Sequence, residues 1–129
     1  MPAQDFESTF DDAFGDKEWA LTARADTKIT SNIKGTIASI AMTLSAGKSI
    51  RQRAKQFPCP LYAVHGIGDC RTSCEAMEEF VDQIGPTKAV MHKIETEGHQ
   101  LLQDKPAIID DVMEKVKAWI LKEAKQATR

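Results

Sequence analysis

Two short apolar runs in the second half of the chain have the pattern of buried strands. The segment 61–66, LYAVHG, is continuous, apolar and preceded by Pro60, which is typical of a strand covered on both faces of a parallel sheet. A second run at 88–95, KAVMHKIE, is less apolar, so we expect a strand nearer the edge. Turn-forming segments follow both runs, GIGDCR after the first and TEGHQ after the second.

Apolar residues recur at helical spacing between these two runs and again after the second run. Residues 72–85 begin with a predicted capping box, Thr72 with Glu75, and end at Gly85. One face of this helix is apolar and consists of Met77, Phe80, Val81 and Ile84. A last, strongly amphipathic helix is predicted from Pro106 to Lys125.

The first half of the chain has a weaker pattern. Residues 36–55 place apolar side chains at helical spacing, and the prolines of FPCP end this helix. A short helix is predicted over Asp16–Ala25, and the segment ITSNIKG, at 29–35, is predicted as a loop. Residues 1–32 are the least regular part, and we expect DFESTFDD, at 5–12, to be a solvated acidic face.

The order strand, helix, strand, helix implies a right-handed parallel crossover. In such sheets, sites form in the loops after the carboxyl ends of the strands. Asp69 lies in the first of these loops and His99 in the second. We therefore expect both side chains on one rim of the sheet, where a carboxylate can hold an imidazole in the orientation that a general base needs.

Size and charge restrict the class of protein. The chain has 129 residues and a net charge of −2, which suits one domain. Its lysines and arginines are dispersed, so we expect no nucleic-acid partner. The apolar stretches are too short to span a membrane, and the N-terminus lacks a signal-peptide pattern. The default expectation is a cytoplasmic protein.

The three cysteines are Cys59, Cys70 and Cys74. An odd number argues against a disulfide framework, and the spacing of Cys70 and Cys74 is neither C-x-x-C nor a paired zinc-ligand pattern. We expect idle or buried thiols and neither metal nor cofactor. A redox switch formed by Cys70 and Cys74 is the alternative.

Three segments, FPCPLYAVHGIGD, ETEGHQLL and DDVMEKVKAWI, resemble the C-terminal part of the α/β-hydrolase superfamily. They are most similar to its monoacylglycerol lipase, or lysophospholipase-like, branch, also known as the serine aminopeptidase S33-type domain. The resemblance is good over residues 57–121 and weaker over 24–56. It implies an α/β fold made of the last two parallel strands with flanking helices, after a mostly helical cap remnant.

The resemblance also implies roles for individual residues. Asp69 corresponds to the acid of the catalytic triad and His99 to its base. His65 and Gly66 correspond to the pair at the strand end, and Gly98 permits the turn that presents His99. Residues 1–32 would be the tail of the cap, or lid, and residues 33–129 the C-terminal part of the hydrolase core.

The chain departs from the family at the nucleophile. In this fold the serine precedes the acid and lies in a G-x-S-x-G turn, but no serine of this chain has that glycine frame. The six serines are Ser8, Ser31, Ser39, Ser45, Ser49 and Ser73. We therefore expect a fragment, a truncated member or an inactive remnant of a serine hydrolase.

The full protein would hydrolyse small carboxylic esters such as monoacylglycerols or lysophospholipids, and the chain alone would be inactive. A peripheral membrane contact could be made through the cap. The alternative, from another functional class, is a non-catalytic binding or interaction module that reuses the scaffold. The pattern of residues does not decide the oligomeric state.

Overall fold

The computed structural model describes residues 5–8, 13–28 and 33–127. The strands, in chain order, are β1 (Asp5–Ser8), β2 (Ile33–Thr36), β3 (Leu61–Gly66) and β4 (Ala89–Ile94). The α-helices are α1 (Lys17–Ala25), α2 (Ile37–Gln52), α3 (Cys74–Ile84) and α4 (Pro106–Ala127). Two 3-10 turns, at Ala54–Gln56 and Leu101–Gln103, precede β3 and α4.

Strands β3 and β4 form the predicted parallel pair. Their register runs from Leu61 opposite Ala89 to Gly66 opposite Ile94. Helix α3 is the crossover between them, as the strand–helix–strand pattern predicts. The α/β fold class is thus confirmed, with two parallel strands and flanking helices.

The two long flanking helices pack on opposite faces of this pair. Ala63 forms a buried core with Val81 of α3 and Ala89 of β4. The neighbouring Tyr62 points to the other face, where its ring lies 5.6 Å, between centroids, from that of Trp119 in α4. Both faces of β3 are therefore covered, which explains its continuous apolar sequence.

The predicted loop at 29–35 is wrong for Ile33–Gly35. Strand β2 pairs there with β1 in antiparallel register, from Asp5 opposite Thr36 to Ser8 opposite Ile33. This pairing joins segments far apart in sequence, and the local composition of neither segment signals it. Residues 9–12 of the expected acidic face and residues 29–32 lie outside the described residues.

The start of α3 is one residue later than the capping box predicts. Its N-cap is Ser73, whose Oγ accepts a hydrogen bond from the backbone N–H of Ala76 at 3.0 Å. Thr72 is thereby left outside the helix. Its hydroxyl group lies in the loop that carries Asp69, and this position matters for the site.

Candidate functional site

The loops that follow β3 and β4 are joined by backbone hydrogen bonds. The N–H of Ile67 donates to the carbonyl of Ile94 at 2.8 Å, and that of Gly68 donates to the carbonyl of Thr96 at 2.9 Å. These two bonds continue the ladder of the parallel pair beyond the ends of its strands. The loop with Asp69 and the loop with His99 are therefore held side by side.

The structure brings Asp69 and His99 together on this rim. Nδ1 of His99 lies 2.8 Å from Oδ2 of Asp69. The carboxylate side chain is 3% exposed and the imidazole 35% exposed. Since an ionised carboxylate can only accept, Nδ1 carries the proton of this hydrogen bond. Nε2 is then the nitrogen with a free lone pair when the ring is neutral, as a general base requires.

Asp69 is held by three further donors. The hydroxyl group of Thr72 donates to Oδ2 at 2.7 Å, and the backbone N–H groups of Arg71 and Thr72 donate to Oδ1 at 2.8 and 3.2 Å. Burial raises the pKa of Asp69, but the hydrogen bonds from His99, Thr72 and the backbone outweigh it and lower the pKa to about 2. Asp69 is thus an ionised carboxylate at neutral pH.

His65 lies behind this network rather than in the exposed part of the site. Its ring is buried, with Nδ1 2.9 Å from the carbonyl oxygen of Gly66 and Nε2 3.1 Å from Oγ1 of Thr72. Nε2 is also 3.8 Å from Oδ2 of Asp69. A carbonyl can only accept, so Nδ1 of His65 carries a proton. The expected strand-end role of His65 therefore includes a polar contact with Thr72.

A second carboxylate, that of Asp104, holds the loop that carries His99. Asp104 is fully buried, and its Oδ2 accepts a hydrogen bond from the hydroxyl group of Thr96 at 2.6 Å. The backbone N–H groups of His99 and Gln100 both donate to the carbonyl of Ala13, at 3.0 and 2.8 Å. The segment before α1 is therefore part of the support of His99.

The surface beside Asp69 is concave. A cavity of about 590 Å³ is lined by Asp69, Arg71, Thr72 and Lys93, among others. Cys70 and Cys74 also line it. Burial raises the pKa of the Cys74 thiol, which makes that thiol less reactive at neutral pH. Among the residues that the structure describes, no cluster of three metal-ligating side chains occurs.

Two polar groups of the site, Thr72 and Asp104, do not follow from the sequence pattern. The capping box predicts Thr72 as a helix cap, and the pattern assigns no role to Asp104. A signal for Asp104 is present in the sequence, because an aspartate five residues after His99 and one before Lys105-Pro106 is a common residue at a turn before a helix. Nothing in the sequence shows its complete burial.

A separate polar cluster lies under α4. Tyr62 and His92 are 3.2 Å apart, between the phenol oxygen and Nδ1. Nε2 of His92 lies 3.1 Å from a carboxylate oxygen of Asp111 and 3.0 Å from Nζ of Lys115. This cluster ties β3 and β4 to α4. The side chain of His92 is mostly buried in this cluster, with 11% of it exposed.

Comparison with solved structures finds a protein of similar fold. No family model matches the chain, and no curated protein matches it. A solved structure, a soluble variant of monoglyceride lipase from Saccharomyces cerevisiae in complex with a substrate analog, is similar with a TM-score of 0.76 and 15% sequence identity. The similarity covers 94% of this chain and 42% of that chain.

This chain has a partial α/β-hydrolase fold. At 15% identity the likeness shows the fold alone, and the chain spans about two fifths of the length of that lipase. The likeness supports a relation at the level of the fold. The roles of Asp69 and His99 do not follow from the fold similarity.

Proposed function

We propose that this chain supplies the acid and the base of a serine-hydrolase triad that acts on carboxylic esters. Asp69 is the acid and His99 the base. The hydrogen bond of 2.8 Å between them, at the carboxyl ends of two adjacent parallel strands, is the observation that carries the proposal. This is the region of an open α/β sheet in which active sites form.

The chemistry of the couple suits proton transfer from a hydroxyl nucleophile. Asp69 holds His99 with Nδ1 protonated, so the lone pair on Nε2 can accept the proton of a serine. The imidazolium ion that then forms is stabilised by the ionised and buried carboxylate beside it. A hydroxyl group activated in this way attacks the ester carbonyl, the ester C–O bond breaks, and the alcohol leaves with the proton that His99 holds. Water then hydrolyses the acyl-enzyme that remains.

The nucleophile lies outside this chain. None of the six serines has the G-x-S-x-G frame, so the serine and the donors for the oxyanion must come from another segment or polypeptide. We infer that the chain is a fragment or truncated member of such an enzyme. Because loss of the nucleophile removes most of the acceleration in triad enzymes, the chain alone is inactive.

We propose a monoacylglycerol or a lysophospholipid as the substrate of the complete protein. The solved neighbour is a monoglyceride lipase in complex with a substrate analog, and the sequence motifs resemble the same branch. Residues 1–32 are proposed to be the tail of the cap, with residues 33–129 in the hydrolase core. In the described residues no helix is long and apolar enough to cross a membrane; a cytoplasmic location is part of the proposal.

The test begins with the gene. An in-frame G-x-S-x-G segment is expected in the codons that precede Met1, and the longer product is expected to hydrolyse monoacylglycerol. The variants Asp69→Ala and His99→Ala should each lower kcat by at least about 10³-fold, whereas His92→Ala, in the cluster under α4, should keep most of the activity. Equal activity of His99→Ala and the parent would overturn the proposal.

The chain by itself provides the second arm of the test. Purified chain should give no turnover of a p-nitrophenyl ester above the rate in buffer. Turnover that His99→Ala abolishes would show that a nucleophile is present after all. If neither the longer product nor the chain is active, the alternative of a non-catalytic binding module is favoured, and size-exclusion chromatography with thermal melting would then show a well-folded monomer or a defined oligomer.

A further inference from the structure

Asp104 is an acidic side chain that the proposed chemistry does not use. It is the largest fully buried side chain in the part of the chain that the structure describes. Carboxylates are rarely buried without partners, because removal from water is costly unless hydrogen bonds replace the lost hydration. The position of Asp104, five residues after His99 and directly before α4, therefore requires an explanation.

Both oxygens of Asp104 accept hydrogen bonds from the chain around His99. Oδ2 accepts from the hydroxyl group of Thr96 at 2.6 Å, and Oδ1 accepts from the backbone N–H of Lys105 at 2.7 Å. Oγ1 of Thr96 in turn accepts from the backbone N–H of Gly98 at 3.1 Å. A continuous chain of hydrogen bonds thus runs from the buried carboxylate to the residue that precedes His99.

The fit around this carboxylate is close. A methyl group added to Gly98 would lie 2.5 Å from Oδ2 of Asp104 and 2.7 Å from the backbone nitrogen of Gly15. The loop with His99 and the segment before α1 therefore meet with almost no space between them. Only a residue without a side chain fits at Gly98, because any Cβ there would push either the carboxylate or the Gly15 backbone away.

The same contact fixes the backbone of His99 itself. The N–H groups of His99 and Gln100 share the carbonyl of Ala13, two residues before Gly15. These bonds join the same two segments that meet at Asp104, because Gly15 and Gly98 both lie against its carboxylate. The side chain of His99 is 35% exposed, so side-chain packing restrains its ring only in part and the backbone of its loop must do so.

We propose that Asp104 is a positioning residue for His99. Its buried carboxylate holds the turn of Thr96 and Gly98 against the segment 13–15, and this turn aims Nδ1 of His99 at Asp69. The functional meaning of this role rests on the proposed function, but the geometric role does not require it.

The test reads the protonated nitrogen of His99 directly. In neutral imidazole, the nitrogen that carries the proton is set by the hydrogen bonds of the ring, and here Asp69 selects Nδ1. Long-range ¹H–¹⁵N spectra of ¹⁵N-histidine-labelled chain, recorded at alkaline pH, distinguish the two neutral forms. His99→Ala identifies the signals, and His65 and His92 report on the fold in the same spectrum.

Two substitutions of Asp104 separate its hydrogen bonds from its volume. In Asp104→Ala, the share of His99 protonated at Nδ1 should fall at least about twofold, because the ring is no longer held at Asp69. Asp104→Asn fills the same space but has one acceptor oxygen instead of two. In this variant the fraction of His99 protonated at Nδ1 should therefore lie between that of Asp104→Ala and that of the parent. Asp110→Ala, at an exposed position of α4, is the matched control and should leave His99 unchanged.

Three outcomes would overturn the inference. An unchanged His99 in Asp104→Ala would show that the loop does not need the carboxylate. An Asp104→Asn spectrum equal to that of the parent would show that the second acceptor is unnecessary. Loss of the folded signals of His65 and His92 in both variants would show a role in the whole fold rather than in the loop. Because the spectra need no activity, failure of the proposed function would not produce any of these outcomes.

Discussion

Helices α3 and α2 both have apolar residues at helical spacing, but α3 has the more clearly separated apolar face and the two helices have different surroundings. In α3, Val81 is 5% exposed and belongs to the core against β3 and β4. In α2, Leu44 is 69% exposed and Met42 73% exposed. A period of apolar residues therefore predicts a helix in both cases, but a buried face only where a sheet lies within reach of the helix.

Position relative to the sheet explains this difference. Helix α3 connects two adjacent strands, so its apolar face must return to the sheet that it crosses. Helix α2 follows β2 and precedes a 3-10 turn, and no such crossover constrains it. The proposal of a truncated hydrolase agrees with these exposed apolar residues, since a missing part of the core would leave a helix face uncovered.

The largest expected contrast is that of a charge placed in each helix. Val81→Asp should lower the free energy of unfolding by about 3 kcal/mol or more, because it buries an unpaired carboxylate. Leu44→Asp should change it by less than about 0.5 kcal/mol, as expected at an exposed position. Urea denaturation followed by circular dichroism measures both. Comparable losses in the two variants would mean that α2 is packed as α3 is.

Alanine in place of glycine gives a contrast of opposite sign. Gly98→Ala should lower the free energy of unfolding by about 2 kcal/mol, because its methyl group overlaps Asp104 and Gly15. Gly47→Ala, in α2, meets no atom within 4 Å and should raise the stability by about 1 kcal/mol. Thermal melting gives both values. A stabilised Gly98→Ala would contradict the close fit around His99.

The pH dependence of stability probes the loop that leads into α3, because this loop contains Asp69. Helix α2 contributes nothing to it in the acidic range, since it has no acidic side chain. The pKa of Asp69 is lowered to about 2, below its unfolded value of about 3.9. Its contribution to stability, on the order of 2 kcal/mol, is therefore present at neutral pH and is lost as the pH falls from about 4 toward 2.

Asp69→Asn tests this contribution. The variant should be less stable than the parent at neutral pH, and the difference should shrink as the pH falls toward about 2. Denaturant unfolding at a series of pH values measures it, with Asp110→Asn, at the exposed position in α4, as the matched control. A difference that is independent of pH would show that the ionised form of Asp69 is not the stabilised one.

The smallest expected effect is at the start of α3. Ser73→Ala removes the side-chain acceptor for the N–H of Ala76 and should lower the free energy of unfolding by about 1 kcal/mol. Ser45→Ala, at an exposed position inside α2, should be neutral or slightly stabilising, because alanine has the higher helix propensity. If Ser73→Ala leaves the free energy of unfolding unchanged or raises it, the cap lies elsewhere, at Thr72, as the capping box predicts.

The sequence alone determined the parallel strand pair, its crossover helix and the last helix. The period of apolar residues is a local property, and the covered strand β3 and the amphipathic helices α3 and α4 show it clearly. The rim with Asp69 and His99 followed from the same reasoning, because the ends of adjacent parallel strands meet at one edge of a sheet. The pairing of β1 with β2 did not follow, since it depends on two distant segments with no mutual signal.

Only the tertiary structure decided which polar groups surround the couple. Thr72 is a donor to Asp69 rather than a helix cap, and Asp104 is a buried anchor rather than a turn residue at the surface. Burial and hydrogen bonding depend on what other segments place nearby, here the segment 13–15 and the turn of Thr96 and Gly98. The chain sequence specifies residue types and their spacing, whereas the environment that gives a carboxylate its pKa and its role exists only after folding.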